Sequence, residues 1–311
     1  MSSNNFLQLI ELSPSDLKSY DRNKTIFFLN LSPIENHGSH LPLGMDILEG
    51  QVISEGVAQK FAHDYPDWKI VFCPPITMGM GLMPGVGSIS FKQKTIYKVL
   101  VEYLSSLTKK GFKYIFVSGF HGSLRHLVTI DEAIHYINKK YKAKIVSPFG
   151  HTFTNILLNK KDLPTKELNK IFKASPGDIH GGMLETSFML HIRPDLVREY
   201  KELNHIDISQ KNIFKKAFAF KSALQQGYFG NPAKAEPHIG KLILDDSIDL
   251  FYQSLKQAMQ DDKFLFNLKS TNYSKYYMRT NFLSNLIIIL AMLSGIFAYF
   301  SVKSKYSISK K

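Results

Sequence analysis

The chain has 311 residues, 44% of them hydrophobic, 13% aromatic and 21% charged, which excludes a fibrous or disordered protein and leaves one large or two small domains. Its single cysteine, Cys73, excludes an internal disulfide framework and a cysteine zinc cluster, and fits a reducing compartment. The net charge of +13 would fit a nucleic-acid binder only if it were spread along the chain, yet eight Lys and Arg stand from Lys263 onward without a single Asp or Glu. The preceding residues hold 31 basic and 26 acidic side chains, a net +5 that argues against nucleic acid as a partner.

The first twenty residues have no basic start and no long apolar run, so they do not read as a secretory signal. Runs rich in β-branched and aromatic residues at 25–31 (TIFFLNL), 69–73 (KIVFC), 113–118 (KYIFVS) and 144–148 (KIVSP) read as strands. Helical patterns lie between them at 46–61, 91–109 and 123–140. This alternation predicts an α/β fold with a mostly parallel, helix-covered sheet, because parallel strands need crossover connections. Open sheets of that kind take ligands at the carboxyl ends of their strands. The glycine-rich stretch 78–87 (MGMGLMPGVG) has neither Walker lysine spacing nor a GxGxxG opening a helix, and is expected to be a flexible loop bordering a site. Residues 202–241 carry His205 and His238 without ligand-like neighbours and are expected to be helix and loop.

The end of the chain reads differently. Residues 282–302 (FLSNLIIILAMLSGIFAYFSV) are 21 positions without a charge, about 31 Å as a helix against a bilayer core of about 30 Å. A buried core helix is the alternative, but such helices show a polar face or stop at about 10–14 apolar residues. The expectation is a transmembrane helix at 282–302, preceded by a basic juxtamembrane linker at 263–281 and followed by a basic tail at 303–311. The membrane is then a partner through a single C-terminal anchor. With no export signal, the enzymatic domain, 1–262, is expected in the cytoplasm.

Three polar clusters carry the chemistry. The first follows the strand at 25–31, from Ser32 through Glu35, His37 and His40 to Asp46. Glu35 and His37 stand two apart, so in extended chain both face one side, and Asp46 opens a helix after a Gly/Pro turn. Oxygen and imidazole ligands without thiolate suit zinc, manganese or iron. Equally, the stretch reads as a polar loop with Asp46 as a helix cap. The second cluster, Phe120-His121-Gly122-Ser123-Leu124-Arg125-His126, also leaves a strand end. His121 there is either a ligand or a satisfied structural residue. The third, Asp178 through His180 and Glu185 to Ser187, runs from a glycine loop into an apolar helix. Glu185 falls in its first turns, where the helix dipole favours a carboxylate whether or not it has a further role.

In combination the clusters resemble the creatininase family of metal-dependent amidohydrolases. Glu35 to Asp46 fits E-x-H-G-x-H-L-P-L-G-x-D without a gap; Gly119-Phe120-His121-Gly122-Ser123 fits G-H-G-G-N loosely; and His180 to Ser187 fits H-A-G-x-x-E-T-S. A fourth motif, P-G-T-I-S-L, survives as Pro84-Gly85 and Ser88-Ile-Ser with two residues inserted. The resemblance implies a single three-layer α/β domain, often in homo-oligomers, with a two-metal centre of Zn, Mn or Fe. It implies Glu35, His37, Asp46 and His121 as metal ligands, Asp46 bridging, with Glu185 completing the site or orienting the water. His180 would move a proton to the departing nitrogen of a small-molecule amide substrate. Two departures stand out: where creatininase proper has a glutamate two residues after the second-motif histidine this chain has Ser123, and Leu124 replaces the asparagine. They motivate a second reading, a catalytically reduced binding or scaffolding module of the same fold.

Overall fold

The run at 25–31 places large apolar side chains at both parities, the pattern of a strand covered on both faces. In the structure, a computed structural model describing residues 6–158, 165–209, 211–282 and 286–294, that strand is buried along its whole length. Five parallel strands form one sheet: β1 (Phe6–Gln8), β2 (Thr25–Asn30), β3 (Lys69–Phe72), β4 (Tyr114–Ser118) and β5 (Lys144–Val146). Their order is β1-β3-β2-β4-β5. Ile26 of β2 is in register with Ile70 of β3 and Tyr114 of β4. The four strands expected are present, each shortened at an end. The expectation of 144–148 overran because Pro148 instead starts a helix, supplying its pre-set φ at the first position. The edge strand β1 has only three residues and no alternation long enough to signal it.

The helices are α1 (Pro14–Ser19), α2 (Met45–Asp64), α3 (Gln93–Thr108), α4 (Leu124–Tyr141), α5 (Pro148–Thr152), α6 (Lys166–Ala174), α7 (Met183–Ile192), α8 (Ile213–Gln226), α9 (Pro237–Gln260) and α10 (Asp262–Asn267), with a π-helical turn at Phe153–Leu158. The period-two pleat sorts the strand residues between two cores. Ile26, Phe28, Ile70 and Phe116 meet α2, α7 and α9 on one face, while Phe27, Leu29, Val71 and Ile115 meet α3 and α4 on the other. The result is three layers, helix, sheet and helix, as expected. Where α9 crosses α7 the backbones come close enough that a Cβ on Gly240 would run into the Ser187 carbonyl. Glycine is required there by the close approach.

The membrane expectation is corrected. No helix of the described residues is long and apolar enough to cross a membrane. Within 282–302 the described residues are 282 and 286–294, the latter helical. Residues 283–285 and 295–311 lie outside the described residues. The transmembrane helix, the membrane partner and the single-pass localisation built on them are therefore not upheld. The residues read as a basic linker pack onto the domain: Leu265, Leu268 and Tyr273 are buried. Ser270 N donates to Asp131 at 2.8 Å, Thr271 N to Thr154 at 2.9 Å, and both the amide and the hydroxyl of Thr280 to Glu132.

Asp131, buried on α4, is one of the two carboxyls that hold this segment, and burial pushes it up to about 8. A carboxyl that binds its proton more tightly folded than unfolded, where the ordinary value is about 3.9, makes stability fall as pH rises from about 4 to about 8. Asp131→Asn keeps a carbonyl for the Ser270 amide and cannot ionise. Thermal melts from pH 4 to pH 9 should find this variant more stable than the parent at the alkaline end, with the gap closing toward pH 4; no change of the gap with pH would mean Asp131 is ionised at no cost.

Candidate functional site

The first two clusters ride on loops that leave the carboxyl ends of the adjacent strands β2 and β4, and the third runs from the loop after α6 into α7. After β2, Ser32 donates to Asn30, and the Asn30 amide donates to the Ile47 carbonyl at 2.8 Å. This ties the loop bearing Glu35 and His37 to the first turns of α2, which carries Asp46. His121 leaves β4, and Glu185 sits in the first turn of α7. Glu35, His37, Asp46 and His121 are almost wholly buried.

The imidazoles converge on the carboxylates. His37 Nε2 lies 3.1 Å from Asp46 Oδ1 and 3.7 Å from Glu185 Oε2. His121 Nδ1 lies 2.8 Å from Glu35 Oε2 and 3.5 Å from Asp46 Oδ2. His180 Nε2 is 3.8 Å from Glu35 Oε1, and its ring is 4.1 Å from that of His37. The outer nitrogens are spoken for: His37 Nδ1 faces the Glu35 carbonyl at 3.2 Å, and His121 Nε2 the Met80 carbonyl at 3.0 Å. A carbonyl only accepts, so each ring donates outward, and a neutral ring would then turn a lone pair toward the carboxylates. The buried atoms Glu35 Oε2, Asp46 Oδ2 and His37 Nε2 accordingly make no hydrogen bond despite their proximity.

Lone pair facing anion is repulsive unless positive charge lies between, and the proton affinities register it. Burial alone would depress His37 and His121, but the neighbouring carboxylates overcome it and hold each at about 10. Burial would raise Asp46, yet the two imidazoles hold it well below the carboxylate range. Glu185 is pushed up to about 7 by burial and the Asp46 charge, with His37 pulling the other way. His180 is drawn down to about 4 by burial and by His37. The atoms gather into triads of metal-holding size: Glu35, Asp46 and His121; His37, Asp46 and Glu185; and Glu35, His37 and His180. The donor set of carboxylate oxygen and imidazole nitrogen, with unpartnered buried atoms aimed inward, fits divalent metal.

Every residue singled out as a candidate is thus brought together. Ser123 is not among these triads; it sits at the N-cap of α4. The motif residue His40 faces away from the triads and bonds Thr186 of α7 at 2.9 Å. The glycine-rich loop closes over the site: Met83 N donates to Glu35 Oε1 at 2.6 Å, and Ser88 accepts from Asn36 N at 2.9 Å.

Two features escaped the sequence reading, and Asp178 of the third cluster takes a role it did not foresee. Glu49 lines the same cavity as Asp46 and Glu185, and burial together with the Glu185 and Asp46 charges raises its carboxyl well above the usual range. Its position three residues after Asp46, on one helical face, was the available signal. The stretch 202–241 does contribute, since Phe229 N donates to the His180 carbonyl at 2.6 Å and buttresses the third cluster from behind. Asp178 accepts from Met183 N at 2.8 Å and from Leu184 N and Asn231 N at 3.1 Å each, anchoring the start of α7.

The sequence profile of the creatininase family, described as creatinine amidohydrolase, matches residues 10–255. The chain belongs to the creatininase family. A curated relative, the mycofactocin precursor peptide peptidase of Mycolicibacterium smegmatis, is 24% identical over 231 residues, 73% of this chain and 83% of that protein. Among solved structures, a tryptophan-to-phenylalanine mutant of creatininase superimposes with a TM-score of 0.59 at 17% identity, covering 80% of this chain and 98% of that one. A manganese creatininase gives 0.55 at 16% identity, covering 81% and 98%. These structural likenesses establish the creatininase fold for the chain.

Asp178→Ala should strand three backbone N–H groups behind Glu185. A loss of roughly 2–3 kcal/mol is expected, read as a lower Tm. Asp178→Asn, which offers one carbonyl in place of two oxygens, should recover only part of it. An unchanged Tm in both variants would show that α7 is fixed without this clamp.

Proposed function

We propose that this creatininase-family protein is a metal-dependent amidohydrolase that cleaves an amide carbon–nitrogen bond, with Glu35, His37, Asp46, His121 and Glu185 holding two divalent ions. One observation carries the reading: Asp46 belongs to two of the triads at once, one completed by Glu35 and His121, the other by His37 and Glu185. A carboxylate with its oxygens turned to different sets of donors supports a bridging role. Divalent ions held there, manganese as in the solved manganese creatininase or zinc or iron, would polarise an amide carbonyl and acidify a water.

The protein's own groups do the rest. His180 commits Nε2–H to the Asn36 carbonyl at 2.8 Å. Its Nδ1 has no hydrogen-bond partner among the described residues, and its side chain keeps 12% exposure and lines the cavity. A neutral imidazole so held can take a proton at Nδ1 and return it to a departing nitrogen. Glu185 Oε2 accepts the Gly181 amide at 2.5 Å, which fixes its orientation beside His37. The loss of a carboxylate at Ser123 argued for a reduced module, but Glu185 completes the second triad, and this favours the enzyme. The peptidase relative keeps peptide amides within the substrate class beside small amides.

Asp46→Ala should release metal and abolish turnover together, measured by elemental analysis and by hydrolysis of an amide panel with added manganese or zinc. Full metal content with full turnover in that variant would remove Asp46 from the centre. His180→Ala should retain metal while turnover falls roughly 10²–10⁴-fold; loss of metal there would make His180 a ligand. A purified parent protein that takes up no divalent metal would favour the binding module.

A further inference from the structure

Above the triads lies a cavity of about 160 Å³ whose floor includes Asp46, His121, His180 and Glu185. Six phenylalanines wall it: Phe120, Phe149, Phe153, Phe172, Phe188 and Phe251. They come from five separate parts of the fold: the β4 loop, α5 with the π-turn that follows it, α6, α7 and α9. The aromatic wall is therefore a product of the tertiary structure and belongs to no single motif. Among the described lining residues there is no Lys or Arg; the charged ones are carboxylates and histidines. Of the carboxylates, Asp246 accepts the Thr165 hydroxyl at 2.8 Å and Asp178 is taken up by α7, while Glu49 lies beside Asp46 and Glu185.

Size and polarity together select an occupant. An apolar protein cavity of about 150 Å³ takes up one benzene. Aromatic walls reward a flat or branched apolar group that completes their packing, and a negative charge away from the centre would meet the carboxylates Glu49, Asp178 and Asp246 with no Lys or Arg among the described lining residues to pair with. We infer that the amide taken by this centre carries one uncharged, benzene-sized apolar group next to the bond that is cleaved. This assignment rests on the amidohydrolase reading for its chemistry, but the cavity can be tested without turnover.

The probes are acetamide, 2-phenylacetamide and 2-phenylacetamide bearing a para carboxylate, titrated into the manganese-loaded full chain by calorimetry or ligand-observed NMR. Phenylacetamide should bind at least about 100-fold more tightly than acetamide, the scale set by filling a hydrophobic specificity pocket, and the para carboxylate should cancel the gain. Phe172→Asp should remove the gain while metal content stays at the parent level. Phe153→Ala, a milder change, should reduce it about tenfold and keeps the test available if the aspartate variant does not fold. Equal binding of acetamide and phenylacetamide, or phenylacetamide binding unaffected by both substitutions, would overturn the inference. Phenylacetamide bound tightly but never hydrolysed would sink the amidohydrolase reading and leave the cavity assignment standing. Acetamide hydrolysed as well as phenylacetamide would do the reverse.

Discussion

Burying several carboxylates within a few ångströms of one another is the constraint on which this structure turns. Glu35 and Asp46 are removed from water, Glu185 stands beside them, and Glu49 faces the same space. Isolated charges in such a place carry a large desolvation penalty, so the fold is compatible with them only if positive charge is supplied. His37 and His121 supply it as protons when nothing else does, which is why both are held near 10 although burial works against them. A divalent cation answers the same requirement with more charge in less volume. The proton load on these imidazoles and the metal-binding proposal are two expressions of one electrostatic excess.

The rest of the architecture serves to keep that excess from relaxing. A carboxylate on a mobile loop would turn to water, and here each one is prevented from doing so by backbone. Glu35 is pinned by the Met83 amide, Glu185 by the Gly181 amide, and Asp46 by its place in the first turn of a 20-residue helix whose flank packs on the sheet. The histidines are aimed by carbonyls of Glu35 and Met80. The sheet's part is geometric: adjacent parallel strands β2 and β4 end side by side, so their loops deliver Glu35, His37 and His121 to one point without any local sequence contact.

Where the sequence was legible, a local rule was strong enough to survive folding. The strand runs alternate for two cores, so β2 to β5 could be read with errors confined to their ends. The first cluster was legible because β2 and the start of α2 are near in sequence and Asp46 is bound to return. What could not be read depends on elements far apart in the chain. Phe229 reaching the back of His180, and six phenylalanines from five parts of the fold meeting in one cavity, leave no periodic trace. The apolar stretch at 282–302 failed for the opposite reason. Hydropathy over a window treats length without charge as a bilayer span, but among the described residues no helix is long and apolar enough to be one.

The placement of Glu185 has a consequence for how the centre is kept intact. A carboxylate two residues after His121 would have been positioned by the same short loop as its neighbour, and its accuracy would have depended on β4 alone. Ser123 stands there at the N-cap position of α4, and the nearby carboxylate Glu185 comes from α7, more than sixty residues later. Its position depends on Asp178 gripping the α7 amides and on the tight crossing of α9 at Gly240. The centre is therefore coupled to the helix layer as well as to the sheet. Looser packing between α7 and α9 would shift Glu185 relative to His37 before it disturbed Glu35 or His121. By this geometry the triad of His37, Asp46 and Glu185 is the one whose integrity reports on the packing of α7 and α9, and the triad of Glu35, Asp46 and His121 is secured by the sheet, α2 and the loop bearing Met83.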